Sequence, residues 1–451
     1  MSTLLSEVKQ TKRGEIKKED KKSEGPPPTL LNNRGFKLLW IGEGISLIGD
    51  QFYMIALPWL VLQLTGDALA MSTVLALAGI PRALFMLVGG AITDRFNPRR
   101  VMLVSNLLRL VLVSLLAILV VSGTIQVWML YAFALVFGLM DAFFFPAQNA
   151  IVPSLVEEDH LQTANAIIQG TMQLSLFVGP VLAGYLISLL GTSSTAQTAG
   201  SLQGIGFAFA IDALTFLASA VTLWQIRIGE AAHNEEEEEG ILASIRVGLV
   251  YVWKDVTLRT FFFIIAMMNF LVTGPFTVGI PVLADTRLPE GAAAFGILLS
   301  AYGGGSLLGI VLAGALPKPP EKRMGILLGI VSSGIGFGVM GLGLITTTTA
   351  GAIVTLLTGA ANGYVAITFI TWLQKRTKAE MIGRIMSLLM FSSAGLGPIS
   401  VMITGAVIGI SPVSVFLTAG GLMAFSVLLM ILNPAVRSIK PVGLKTMPSA
   451  D

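Results

Sequence analysis

After 36 polar residues the chain settles into long apolar runs separated by short polar breaks. Each run reaches the ~20 residues that a helix needs to cross a bilayer. Taken in order they predict twelve membrane helices, at about 37–64, 69–93, 101–122, 126–148, 163–190, 204–226, 258–284, 291–316, 324–345, 348–372, 383–408 and 412–433. Barrel strands would instead alternate apolar and polar residues over about 10 positions. The expected class is therefore an all-α membrane protein. Residues 1–36, with Pro26, Pro27 and Pro28, read as a flexible tail. They lack the apolar stretch and small-residue cleavage site of a signal peptide. The longest later break, 227–257, carries the acid run Glu235 to Glu239, read as a solvated face, and a short surface helix around Ile241 to Lys254. The expected organisation is a tail at 1–36, a six-helix bundle at 37–226, a linker at 227–257, a second six-helix bundle at 258–433 and a tail at 434–451.

Composition narrows the function classes. Only 12% of residues are charged and 54% are hydrophobic, with a mean hydropathy of +0.80. A soluble domain carries about 25% charged residues, so collagen, coiled coil, disorder and soluble α/β enzyme are excluded for the whole chain. Cysteine is absent, which removes disulfides, Cys-ligated metals, iron–sulfur clusters and thiol catalysis. The two histidines, His160 and His233, fall in polar segments and offer no metal or catalytic cluster. No nucleophile–base–His set is present, and no Gly-x-x-x-x-Gly-Lys-[Ser/Thr] loop for ATP. No enzyme activity, cofactor or metal is expected.

The 29 basic residues record topology rather than nucleic-acid binding. Nine lie between Lys9 and Lys37. Others fall in loop 2–3 (Arg95, Arg99, Arg100), loop 6–7 (Arg227, Arg246, Lys254, Arg259), loop 8–9 (Lys318, Lys322, Arg323), the 10–11 region (Lys375, Arg376, Lys378, Arg384) and the C-terminus (Arg437, Lys440, Lys445). The alternate loops hold none, apart from Arg287 in loop 7–8. Basic residues favour the cytoplasmic side, so both termini are expected inside, in a plasma (inner) membrane of bacterial type.

The two halves also echo one another. Tyr53-Met-Ile-Ala-Leu-Pro58 matches Phe276-Thr-Val-Gly-Ile-Pro281. Gly179-Pro180 matches Gly397-Pro398, and Gly90-Ala-Ile matches Gly314-Ala-Leu. The offsets, 223, 218 and 224, are nearly constant. They argue for duplication of a six-helix unit, as in many transporters.

The strongest local motif is Gly90-Ala-Ile-Thr-Asp94-Arg95-Phe-Asn97-Pro-Arg99-Arg100 between spans 2 and 3. Gly90 would permit close helix approach, Asp94 would face a neighbouring helix N-terminus, and the arginines would anchor the inner face. The segment resembles the loop 2–3 signature of the major facilitator superfamily, with Asn97 in place of the usual second glycine. Asn is the natural substitute where a turn needs left-handed φ. The resemblance implies twelve helices in two pseudo-symmetric bundles, and a gate in which this motif latches to the start of span 11 at Gly383 and Arg384. Loop 4–5 (Pro146 to Pro153, then Leu161 to Asn165), Gly49-Asp50 through Pro58-Trp59 and Gly383 to Ser387 resemble one branch of the drug:proton antiporters. That branch includes macrolide efflux proteins and the enterobactin exporter. Span 5, with Ala166, Ser175, Gly179, Pro180, Ala183 and Gly184, resembles the antiporter signature of that helix. Tight helix packing alone explains those small residues equally well.

Six ionisable residues remain inside the spans, all in the first half: Glu43, Asp50, Arg82, Arg109, Asp141 and Asp212. Each costs about 2.5–3.5 kcal/mol at a helix centre, so such groups pair or line a water-filled path. Measured from the inner ends at 1.5 Å per residue, Asp50 lies ~20 Å deep, Arg82 ~17 Å, Arg109 ~12 Å, Asp141 ~11 Å, Glu43 ~9 Å and Asp212 ~21 Å. Depth suggests two pairs, Asp50 with Arg82 and Arg109 with Asp141. A carboxylate poised between desolvation and a neighbouring guanidinium can load and release a proton as water access alternates. Asp50 is the first candidate carrier, with Arg82, Glu43 and Asp212 as further members of a proton-coupling set. Arg109 and Asp141 read as a structural pair, Glu43 as a rim residue, and Asp212 as facing inward. Candidate cavity residues are Tyr53, Gln169, Asn269, Phe276, Asn362 and Phe391.

The expected function is proton-coupled efflux of amphiphilic small molecules of drug, macrolide or siderophore type, by a monomer in a lipid bilayer. The alternatives are uptake or lipid translocation by the same fold, and a membrane sensor that does not transport.

Overall fold

The computed structural model describes residues 30–191, 202–227, 250, 253, 256–317, 321–377 and 379–432. Most of the linker, with Glu235 to Glu239 and the surface helix expected near Ile241, and most of both tails lie outside the described residues.

Among the described residues the chain forms twelve long helical elements. The first six are α1 (Arg34–Thr65), α2 (Ala68–Arg95), α3 (Pro98–Val121), α4 (Val127–Ile151), α5 (Glu158–Gly191) and α6 (Gln203–Gln225). Next, α7 runs through Val256–Gly274, a π-helical turn at Pro275–Gly279, and Ile280–Arg287. The last five are α8 (Ala292–Ala315), α9 (Glu321–Leu342), α10 (Thr348–Arg376), α11 (Ala379–Ile408) and α12 (Pro412–Leu432). Eleven are long and apolar enough to cross a membrane, and α11 adds the shorter apolar stretch Gly395–Ile408.

The helix ends follow from local chemistry. Asn33 caps α1 by accepting from the Phe36 N–H at 3.1 Å. At the far end Gly66 turns left-handed (φ 62°) and closes on the Leu62 carbonyl, and Asp67 immediately caps α2. Only two residues therefore join α1 to α2. Asn97 and Pro98 start α3 as N-cap and first helical residue.

The burial pattern is that of a bilayer protein. On α3, Val111 and Ile118 are 63% and 64% exposed, while Ser105, Asn106 and Arg109 are buried. Lipid solvates the apolar face, and the polar groups can be satisfied only inside. Exposed tryptophans stand at helix ends, Trp128 opening α4 and Trp224 closing α6, where amphipathic rings prefer the membrane–water boundary.

Packing repeats at a shift of six helices. In the first bundle α1 packs on α5 and α6, α2 on α4, and α3 on α6. In the second, α7 packs on α11 and α12, α8 on α10, and α9 on α12. The halves meet where α5 packs on α8 and α2 on α11, pairs that are themselves related by the same shift.

Candidate functional site

The buried charges gather in the first bundle around one guanidinium. Arg109, 2% exposed on α3, forms an ion pair and hydrogen bond with Asp141 of α4. Its guanidinium carbon also lies 4.1 Å from the ring centre of Phe144, 5.4 Å from Phe137 and 5.6 Å from Phe216. Cations favour aromatic faces, and more so where water is excluded. Sequence reading found the pair but missed the aromatic cage, because Phe137 and Phe144 sit one turn either side of Asp141 and Phe216 comes from α6.

Asp50 and Asp212 complete the cluster. Asp212 is fully buried, and neither carboxylate oxygen has a hydrogen-bond partner among the described residues. It faces Gly49 of α1 at the level of Asp50: a side chain at Gly49 would stand 2.8 Å from its Oδ1. Asp50 is half-buried and lies in the electrostatic field of Arg109 and Asp141. Asp212 feels the same two groups and Asp50. Glu43 feels Arg109 and Asp50 as well, so four carboxylates share one guanidinium.

The expected pairing of Asp50 with Arg82 is not what the structure holds. Arg82 is half-buried on α2 and lies 5.8 Å from the Phe145 ring centre. The one ion pair among the described residues is Arg109–Asp141. Equal depth does not suffice, since rotation about the helix axis turns Arg82 toward α4. Glu43 is also not a rim residue. It is 3% exposed and accepts from Gln148 Nε2 of α4 at 2.6 Å, which leaves its other oxygen without a partner. Gln148 covers it from the side that sequence depth left open.

The loop 2–3 motif needs two physical corrections. Among the described residues nothing stands where a side chain on Gly90 would go, whereas a Cβ on Gly89 would run into the Ala142 carbonyl. The close-approach glycine is one residue, or about 100° of helix rotation, away. Asn97 has φ −59° and does not adopt a left-handed turn. It serves as a cap, its side chain accepting from the Arg99 N–H at 3.0 Å. Arg99 donates from Nε to the Leu223 carbonyl at 2.7 Å and from Nη2 to the Trp224 carbonyl at 2.6 Å. A cation at the C-terminus of α6 satisfies orphan carbonyls and complements the helix dipole, so the contacts of Arg99 lie within the first bundle. Arg100 is exposed. The side chains of Asp94, Arg95, Gly383, Arg384 and Phe391 lie outside the described residues.

The small residues of α5 form a seam. Gly179 packs on Gln51 within the first bundle. Gly184 and Pro180 face the second bundle: a Cβ on Gly184 would lie 3.0 Å from the Gly296 Cα, and a Cβ on Gly296 would meet the Pro180 carbonyl. Ser300 Oγ accepts from the Val181 N–H at 2.8 Å across the same seam. A second seam joins α2 to α11, where Pro398 fits against Gly79 and Ser72 against Gly405. Near it, Gln63 Nε2 of α1 donates to Asp285 Oδ1 of α7 at 3.0 Å.

The candidate cavity residues do not form one group. Tyr53 stacks on Phe137 at 4.3 Å inside the first bundle. Phe276, 8% exposed, packs on Tyr302 at 4.7 Å in the second. Asn269 and Asn362 are half-buried, and Gln169 is exposed on α5. Among the described residues no group of three or more His, Asp or Glu is placed to hold a metal ion.

Known proteins place this architecture. The multidrug efflux pump Tap of Mycolicibacterium fortuitum is 26% identical over 375 residues, 79% of this chain and 85% of that protein. Macrolide efflux protein A of Streptococcus pyogenes is 23% identical over 433 residues, 91% of this chain and 98% of that protein. Among solved structures, a POT family transporter in complex with 5-aminolevulinic acid superposes with a TM-score of 0.70 at 12% identity, covering 91% of this chain and 98% of that one. A bacterial homologue of the iron transporter ferroportin in an inward-facing state gives 0.64 at 15% identity, covering 90% and 100%. The Major Facilitator Superfamily profile matches residues 39–399. With its two six-helix bundles related by a shift of six, this chain belongs to the Major Facilitator Superfamily and is a multi-span membrane transporter.

Proposed function

We infer that the chain exports amphiphilic small molecules in exchange for protons, by alternating access between its two bundles. The observation that carries this reading is the cluster of Asp50, Asp141 and Asp212 around the single guanidinium of Arg109. One guanidinium cannot neutralise these three carboxylates and Glu43 together inside the protein, and a proton is the least costly additional counter-charge. Of the two cluster acids not paired with Arg109, Asp212 is fully buried and Asp50 half-buried, so Asp50 is the better placed to exchange a proton with water. Arg109–Asp141 holds α3 to α4 and sets the field in which Asp50 titrates. The efflux relatives support outward transport of small molecules.

The seams between the bundles lie at the helix ends that the basic-residue tally assigns to the outside. This arrangement fits a state closed outward, with both termini in the cytoplasm of a bacterial cell. The fold requires only a monomer.

The test is reconstitution in proteoliposomes with an imposed pH gradient and a panel of lipophilic cations, macrolides and siderophores. Substrate movement should follow the gradient. Asp50→Asn should lower gradient-driven accumulation by at least about tenfold while sparing substrate binding. Full-rate, gradient-driven transport by Asp50→Asn would show that the carrier lies elsewhere, and gradient-insensitive movement of every compound would remove proton coupling altogether.

A further inference from the structure

We propose that the inner end of α7 carries a binding site for one anionic phospholipid, its phosphate held by Arg259 and one acyl chain lying along Phe262, Phe263 and Ala266. A cavity of about 450 Å³ opens there, lined by Arg259, Trp253, Thr260 and the apolar side chains that follow on α7. That volume falls in the range of small-molecule sites, roughly 300–1,000 Å³.

The geometry is that of a headgroup anchor above an apolar slot. Arg259 is half-buried in the first turn of α7, its guanidinium 5.7 Å from the Trp253 ring centre. Its Nη1 reaches the Trp253 carbonyl at a long 3.4 Å. Among the described residues it has no carboxylate partner, and the planar fork of guanidinium donors matches a phosphate. Trp253 and Phe263 are 65% and 67% exposed, an aromatic pair at the level where indole rings favour the headgroup layer. From Arg259 the apolar wall runs to Ala266, about 10 Å along the helix toward the bilayer core. A free phosphate would meet almost no polar wall beyond Arg259 and Thr260. An anionic lipid satisfies both ends at once, charge at the guanidinium and hydrocarbon along the aromatics. Basic pockets on the cytoplasmic side of a membrane bind such headgroups. The site is independent of the proposed proton cluster and shares no residue with it.

The experiment is native mass spectrometry of the full chain in detergent, titrated with phosphatidylglycerol, phosphatidylethanolamine or inorganic phosphate. One phosphatidylglycerol should be retained, about fivefold more tightly than phosphatidylethanolamine, the ratio that one basic residue near a membrane surface supplies. Arg259→Gln should bring the two lipids to equal affinity, and Arg259→Lys should keep part of the preference. Thermal unfolding of each variant verifies that it is folded. Equal retention of both lipids by the unaltered chain, an undiminished preference in folded Arg259→Gln, or displacement of the lipid by millimolar phosphate would each overturn the assignment.

Discussion

Gly296→Leu should stop transport while leaving the protein folded. Gly296 on α8 lies against the Pro180 carbonyl and the Gly184 backbone of α5, with no room for a Cβ. Any side chain there must hold the two bundles apart along that seam. Overpacking of this kind costs roughly 1–3 kcal/mol, which shifts a two-state equilibrium by about 5- to 150-fold. The cost falls only on the state in which the seam is closed, so the variant should accumulate with its outer side open. The absence of cysteine makes the check simple. A single Ser72→Cys at the Gly405 contact, fully buried in this state, should react with an external, membrane-impermeant thiol reagent at least about tenfold faster in the Gly296→Leu background. Gly421→Leu, at a glycine of α12 with open space around it, is the control and should transport normally. Normal transport by Gly296→Leu would mean that this seam does not gate the pathway.

The second large effect should come from Arg109. Removing one member of a buried ion pair leaves an uncompensated charge and costs about 3–5 kcal/mol. Arg109→Met deprives Asp141 of its partner and Asp50 and Asp212 of their nearest cation, and it empties the cage of Phe137, Phe144 and Phe216. Thermal or denaturant unfolding in detergent should show the loss. The double variant Arg109→Met/Asp141→Leu should recover the part of the loss that comes from the unpaired Asp141, leaving Asp50 and Asp212 without a cation, and still not transport. A single variant as stable as the parent would show that the pair contributes nothing to the fold. A double variant that transports would remove Arg109 from any coupling role.

The helix map was readable because lipid imposes one length on every span. The apolar runs and basic loops therefore placed the twelve helices to within a few residues of their ends. The π turn in α7 was not readable. There Ser400 Oγ, from α11, accepts from the Gly274 N–H at 2.8 Å and bonds the Phe270 carbonyl. A hydroxyl from 126 residues away replaces a bond within the helix, and no local pattern records that. The charged cluster was readable in part. Arg109 and Asp141 agree in depth and also in rotation, whereas Arg82 agrees with Asp50 in depth alone. Rotation depends on which faces of α2, α3 and α4 meet, and that is decided by close backbone approaches such as Gly89 against Ala142. Gln148 went unnoticed for the same reason: an amide near the end of a span looks like loop chemistry until a second helix brings a carboxylate to it.

The two-residue join between α1 and α2 ties together places that look separate. Gln63, four residues before Asp67, meets α7. Ser72, five residues after it, meets α11. Gly66 and Asp67 are both spent on hydrogen bonds that end one helix and start the next, so the corner has no slack. One contact cannot part without levering the other. The two contacts should therefore release together as a single latch with two bolts on one bar, and a half-released intermediate should be too short-lived to populate.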